Sequence, residues 1–385
     1  MFASFSYHNP VKIVFGKGTI SQLNKLVPAG AKVMITYGGG SIFKNGVYDQ
    51  VKKALNGFEV IEFGGIEPNP TYETLMKAVE IAKKENVTFL LAVGGGSVLD
   101  GTKFIAAAIP YEGEDPWQIV LDRKNYKTAL PLGSVLTLPA TGSEMNYYAV
   151  ISRTETKEKK GMGSPLLYPQ FSILDPETTY TLPTQQVANG IADAFTHVME
   201  QYMTYPVDAQ VQDRMAEGIL QTLIDIAPDA LAKTDDYASR ANFMWAATMA
   251  LNGLLAVGVP TDWATHQIGH ELTALHGIDH ARTLAVVLPH LLQHQLANKE
   301  AKLVQYGTRV WGLQGKPSEV ALQAIEKTAA FYESLGIPTK AKAYGIGLET
   351  VTEVKARFEA RGMNFGERAT ITPDAVEEIL MASIA

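Results

Sequence analysis

The 385-residue chain contains no cysteine. Disulfides and thiolate metal sites are therefore excluded, and any bound metal has to use His, Asp, Glu or water. It has no block of basic residues either: 33 Lys and Arg stand against 40 Asp and Glu, for a formal charge of -7. A run of phosphates would find nothing to neutralise it, so nucleic acid is not an expected partner. No stretch of about 18 or more apolar residues occurs, and the opening "MFASFSYHNP" has no charged segment leading into an apolar one. The expectation is a soluble, cytoplasmic protein without a membrane partner. Low-complexity segments and repeats are missing, apart from one Gly-Gly-Gly-Ser sequence that occurs twice.

What is present is enough chain for two cores, because a single core stops growing at about 250 to 300 residues. Apolar runs of strand length at 33–36, 60–63, 89–93, 135–138 and 171–174 alternate with segments of helical spacing at 47–55, 72–85 and 98–108. Such alternation, with runs apolar on both faces, predicts a mostly parallel sheet covered by helices. After "TLPTQQ" the texture changes to long helical patterns such as "QDRMAEGILQTLIDIA" and "SEVALQAIEKTAAFYESLG". The predicted organisation is an α/β domain over 1–182 and an all-helical domain over 183–385.

The paired glycine runs are "VMITYGGGSIFKNG" and "LLAVGGGSVLDGTK". Three glycines after a buried strand permit positive φ and remove every Cβ, so a ligand can approach the backbone closely. A helix starting just afterwards would aim free N–H groups and its positive dipole end at that ligand, which predicts phosphate binding at both turns. Neither run matches G-x-G-x-x-G, since Phe43 and Leu99 stand where the third glycine belongs, and "GSVLDGTK" places Thr before Lys, unlike a nucleotide P-loop. A third turn, "TLPATGSE", adds the hydroxyls of Thr137, Thr141 and Ser143, able to bond a phosphate, a ribose or a nicotinamide amide, or to cap a helix.

Four of the eight histidines fall in "HQIGHELTALHGIDH", and His197 follows Asp193 by one helical turn in "ADAFTHVMEQY". His266 and His270 are spaced alike, and Gly277 after His276 reads as a helix end that brings His280 back. Three imidazoles and a carboxylate would suit Zn2+ or Fe2+ with a position left for substrate. "HELTALH" is H-E-x-x-x-x-H and not a zincin motif, which disfavours peptidase chemistry. Spacing alone does not choose among His197, His266, His270, His276 and His280.

Together, "GGGSVLDGTK", "LTLPATGSE", "ANGIADAFTHVMEQY" and "PTDWATHQIGHELTALHGIDHA" resemble the iron-containing, or group III, alcohol dehydrogenase family. The first glycine run and "FGGIEPNP" resemble its NADPH-dependent aldehyde reductase and butanol dehydrogenase branch, and the similarity runs from "KIVFGKG" to "GMNFGERATIT". The resemblance implies a dehydroquinate synthase-like architecture, in which a Rossmann-like dinucleotide-binding domain precedes a helical metal-binding domain. It implies one divalent metal, Fe2+ or Zn2+, on Asp193, His197, His266 and His280, with His270 a catalytic group beside the nicotinamide and His276 in a supporting role. NADPH is implied to meet Gly38, Gly39, Gly40, Ser41 and Asn69, then Gly94, Gly95, Gly96 and Ser97 at the pyrophosphate, with Asp100 buttressing that loop. Thr137, Thr141 and Ser143 would line the nicotinamide side, and Lys159 would reach the ribose.

The implied function is metal-dependent hydride transfer from NADPH to an aldehyde, giving a primary alcohol, and the reverse. The implied assembly is a homodimer joined through the strand near Val11 to Phe15. "MNYYAVISR" departs from the small residues expected after Ser143. A glycerol dehydrogenase-like or dehydroquinate synthase-like enzyme would share the fold, but the latter needs a basic cluster that "TDWATHQ" does not offer. A metal hydrolase without nucleotide is another alternative, and a non-catalytic metal- or nucleotide-binding protein a third.

Overall fold

The computed structural model describes residues 2–122 and 125–384. Its strands are β1 (Lys12–Phe15), β2 (Lys32–Tyr37), β3 (Glu59–Phe63), β4 (Phe89–Gly95), β5 (Leu132–Leu138), β6 (Tyr148–Arg153), β7 (Glu158–Gly163) and β8 (Phe171–Leu174). Interleaved with them are α1 (Leu23–Leu26), α2 (Val47–Ala54), α3 (Tyr72–Lys84), α4 (Gly96–Ala108) and α5 (Gln118–Leu121). The rest is helical: α6 (Thr184–Tyr202), α7 (Gln210–Ala232), α8 (Tyr237–Ala250), α9 (Ala264–His276), α10 (His280–His294), α11 (Leu296–Val310), α12 (Pro317–Ser334), α13 (Leu348–Arg361) and α14 (Pro373–Ile384).

A six-stranded sheet runs in the order β1-β8-β5-β4-β2-β3, and every pairing in it is parallel. Alternate residues of its central strands feed two separate cores. Met34, Leu90, Ala92, Leu132 and Leu136 pack on one face with α3 and α4. Val33, Ile35, Leu91, Val93, Val135 and Ile173 pack on the other with α1 and α2. Burial on both faces explains why these strands read as continuous apolar runs.

The β6-β7 hairpin is antiparallel and separate from the sheet. The sequence reading did not predict it, because "TETKEKK" carries no alternating apolar pattern to mark β7 as a strand.

By contacts the chain divides into two compact units, one of Met1–Tyr7, Thr184–Ala232 and Met249–Ala385, the other of His8–Pro183 and Lys233–Thr248. The division is not a single cut, since most of α8 belongs to the α/β unit. Buried Arg240 donates to the Thr179 carbonyl at 3.1 Å, the Thr248 hydroxyl bonds the buried Glu144 carboxyl, and Trp245 meets Phe15 edge-on. The helical unit has its own core, in which α9 and α10 (Ile268, Leu272, Val286, Val287) meet α13 and α14 (Val354, Phe358, Ile379, Leu380). No helix among the described residues is long and apolar enough to cross a membrane.

Near the start of β5, a Cβ on Gly133 would run into the ring of Phe171, which stacks on Phe89. Overpacking of this kind costs about 1–3 kcal/mol. Gly133→Ala is expected to lower the unfolding midpoint accordingly in a denaturant titration; an unchanged midpoint would contradict this packing.

Candidate active site

Helix α6 presents Asp193 and His197 one turn apart, with His197 Nε2 3.8 Å from Asp193 Oδ1. His266 and His270 come from α9, and His280 opens α10. Gly277, at φ 66, ends α9 and turns the chain so that His280 Nε2 comes within 3.9 Å of the same Asp193 oxygen. One donor atom each of Asp193, His266 and His280 lie within 4.8 Å of one another. The His197 ring stacks on that of His266 with centroids 4.7 Å apart. Asp193, His197, His266 and His280 are thus brought together.

The half-buried His270 stands at the rim of the cluster, its ring 5.0 Å from that of His280 and 6.2 Å from that of His266. His276 is exposed, and its Nε2 bonds the Thr350 hydroxyl at 2.9 Å.

The donor set fits a divalent cation. Asp193 is 4% exposed, and its Oδ1 accepts no hydrogen bond from the described residues. Its imidazole neighbours at 3.8 and 3.9 Å are too distant for hydrogen bonds but spaced as for an ion about 2.1 Å from each ligand. A buried carboxylate oxygen without such a partner would be costly.

Two groups that sequence reasoning missed hold the histidine segments in place. The Glu200 carboxylate lies against His266 Nδ1, and buried Asn189 donates to Asp279 at 2.9 Å, next to His280. Both sit on the Asp193 face of α6, Asn189 one turn before Asp193 and Glu200 one turn after His197, which is the signal that could have found them. Burial and the Asp262 carboxylate push the Glu200 carboxyl upward, while the backbone N–H groups of Thr265 and His266 oppose that shift.

In the α/β unit, the three turns lie at the carboxyl ends of the neighbouring strands β2, β4 and β5. Their glycines serve close approach more than turning, a correction to the expectation of positive φ. Of the six in the two runs only Gly40 has positive φ. Instead, a Cβ on Gly94 would lie 2.6 Å from Val98, one on Gly95 2.9 Å from Leu138 and one on Gly96 2.5 Å from Thr141. The second run leads directly into α4, whose first turn has no side-chain cap. The first does not: a 3-10 turn over Ser41–Phe43 intervenes, and α2 begins only at Val47. Gly39 faces open space, with no atom within 4 Å of where its Cβ would be. Asn69, at φ 58, donates its N–H to Ser97 Oγ at 3.3 Å and accepts from Lys159 Nζ at 2.9 Å, so these three predicted residues meet.

A family profile described as iron-containing alcohol dehydrogenase matches residues 10–176, and one for the C-terminal part of the Fe-containing alcohol dehydrogenase family matches residues 187–384. The chain belongs to the iron-containing alcohol dehydrogenase family. It is 55% identical over 384 residues to the NADPH-dependent aldehyde reductase YqhD of Escherichia coli (strain K12), covering 99% of both chains. To the probable NADH-dependent butanol dehydrogenase 1 of Bacillus subtilis (strain 168) it is 44% identical over 387 residues, covering 99% of this chain and 100% of that one. The crystal structure of E. coli K-12 YqhD superposes with a TM-score of 0.97 at 54% identity, covering 99% of each chain.

In this member of the iron-containing alcohol dehydrogenases, the third turn is tied to α4 by a buried polar network. Ser143 Oγ donates to Asp100 Oδ1 at 2.7 Å and accepts from Lys103 Nζ at 2.7 Å, while Asp100 Oδ2 accepts from Val150 N. Lys103 also reaches the Asn146 side-chain oxygen and the Tyr148 carbonyl. Burial pulls the Lys103 ammonium down to about 8 against the pull of Asp100, and burial raises the Asp100 carboxyl against Lys103. The Ser143 hydroxyl is thus bonded inward to both charged groups and ties the turn to α4. Thr141 Oγ1 accepts from Ser143 N at 3.2 Å, and Thr137 lies buried near the end of β5.

Ser143→Ala removes one hydrogen bond from each of two buried charged groups, at about 1.5–3 kcal/mol for such a bond. A lower thermal midpoint is expected, and an unchanged one would show that the network does not hold the turn.

Proposed function

We propose that this chain is a metal-dependent, NADPH-linked oxidoreductase that reduces aldehydes to primary alcohols by hydride transfer and runs the reverse reaction on alcohols. The observation that carries this reading is the buried Asp193 oxygen set among imidazoles in a family member whose relatives are named for aldehyde and butanol chemistry. When bound, a divalent ion, Fe2+ or Zn2+, supplies Lewis acidity toward a carbonyl oxygen, and NADPH supplies the hydride.

The chain's own residues do the rest. Asp193, His197, His266 and His280 hold the ion, the carboxylate neutralising part of its charge. Gly94, Gly95, Gly96 and Ser97 offer the pyrophosphate the N–H groups at the start of α4, a helix long enough to bring its dipole to bear. Asn69 and Lys159, already joined, present an ammonium to the ribose. Thr137 and Thr141 serve the nicotinamide amide, and Asp100 braces the turns through Ser143. His270, half-buried at the rim of the cluster, passes a proton to the product oxygen. A homodimer along β1 suits the position of that strand at the sheet edge and the exposure of Phe15 and Trp245.

The testing experiment follows NADPH absorbance in the presence of a short aldehyde, using metal-free protein reloaded with Zn2+ or Fe2+. Turnover is expected only after reloading. Asp193→Ala and His266→Ala are expected to lose both the ion and turnover, and full metal content in both variants would rule the site out. His270→Ala is expected to keep the ion and lose about ten- to a thousandfold in rate, as for removal of a proton-transfer group; loss of the metal would make His270 a ligand.

Cofactor choice is read from the first glycine run, where Gly38, Gly39, Gly40 and Ser41 leave room for a 2′-phosphate. The open space at Gly39 accommodates a carboxylate without strain. At about 5 Å from the 2′-phosphate and an effective dielectric near 20, that carboxylate would cost roughly 3 kcal/mol, or about a hundredfold in affinity. Gly39→Asp is expected to weaken NADPH binding by that factor and to leave NADH nearly unchanged. An unaltered NADPH Kd would show that this turn does not meet the 2′-phosphate.

A further inference from the structure

Glu200 lies on α6, three residues beyond His197 and seven beyond Asp193, so all three side chains project from one face of the helix. Its carboxylate gathers three nitrogens of α9. Oε1 accepts from Thr265 N at 2.7 Å, Oε2 accepts from His266 N at 3.2 Å, and His266 Nδ1 lies 2.5 Å from Oε2. Two of these are backbone amides, which can only donate. At the third, a lone pair on Nδ1 would face a carboxylate oxygen, whereas an Nδ1–H makes a short charge-assisted bond. The ring then keeps its lone pair on Nε2, the atom through which it can coordinate.

The start of α9 needs such an anchor. Trp263 at its N-terminus is held at φ 65, a left-handed conformation rare for a bulky residue, and makes no side-chain cap. Carboxylates supply the cap from both sides of it. Asp262 Oδ1 accepts from Ala264 N at 2.9 Å, and Asp262 is itself fixed by the buried Lys299 ammonium at 2.9 Å. The Asp262 N–H donates to the Glu200 carbonyl at 2.9 Å, so Glu200 grips the segment by main chain and side chain together.

We propose that Glu200 is the positioning residue of the metal centre: from the helix that carries Asp193 and His197, it fixes the tautomer and ring direction of His266, a ligand that α6 does not carry. This rests on the metal reading above. A glutamine at 200 would keep the shape but offer one acceptor oxygen to three N–H groups and turn an amide NH2 toward the others. Loss of a partner that orients a ligating histidine costs about ten- to a hundredfold in metal affinity.

The test has two readouts, neither of them activity. Zn2+ affinity is measured by competition with a chromophoric chelator on metal-free parent, Glu200→Gln and Asp193→Ala, with circular dichroism reporting retained helix. Nitrogen NMR of labelled histidine reports the His266 tautomer in the metal-free parent and in Glu200→Gln. The parent is expected to bind one Zn2+ and to show His266 protonated on Nδ1. Glu200→Gln is expected to bind about ten- to a hundredfold more weakly and to lose that tautomer. Parent-like affinity in a folded Glu200→Gln overturns the proposal. So does an Nε2–H tautomer in the metal-free parent, a readout that stands even if the variant does not fold. A parent that binds no Zn2+ overturns the metal reading itself, and this inference with it.

Discussion

A carboxylate oxygen taken out of water must be compensated, and at Asp193 Oδ1 the compensation does not come from hydrogen bonds of the described residues, the imidazole nitrogens of His197 and His280 stopping 3.8 and 3.9 Å away. Much of the helical unit can be understood from that gap. Asp193 and His197 need only the pitch of α6 to share a face, but His266 and His280 arrive from other elements and have to be delivered to it. Glu200 draws in the start of α9, Gly277 reverses the chain after it, and the Asn189–Asp279 bond pins the loop just ahead of His280. Glu271, paired with Arg357 and Arg361, secures the far side of α9 to α13. The candidate cation site is thus a set of approaches to one helix face.

The α/β unit meets a different constraint, namely backbone that must come close to the side chains of neighbouring segments. Gly94, Gly95 and Gly96 are there because a Cβ would collide with Val98, Leu138 and Thr141, which lets the ends of β4 and β5 and the start of α4 crowd together. The crowding is backed by Asp100, Ser143 and Lys103, three polar side chains buried behind the turns and bonded in a chain. In a medium that poorly solvates charge, such a network rigidifies what it connects.

The sequence made much of this visible where a single period or a single residue type decides the outcome. Strand-length apolar runs marked the sheet because both of its faces are buried, and the spacing of Asp193 and His197 sufficed for their pairing. Less was visible where the decisive contact is tertiary. Spacing left five histidines as candidates; the family resemblance set His276 apart, and the fold shows it turned to Thr350, away from the cluster. Lys103 reads as an ordinary helical lysine until its ammonium is seen buried among Ser143, Asn146 and Tyr148. Lys159 sat in an apparent charge run, yet the β6-β7 hairpin brings it to Asn69. The two Gly-Gly-Gly-Ser runs look alike in sequence and differ in structure, because only the second passes straight into a helix.

The central claim is that one cation belongs on the α6 face between Asp193 and the histidines of three helices. Anomalous diffraction from crystals of the Zn2+-loaded protein tests it most directly. The account predicts one peak per chain, about 2.0–2.2 Å from an Asp193 oxygen and from nitrogens of His197, His266 and His280. A peak bound through His270 or His276, or none near Asp193, would contradict it.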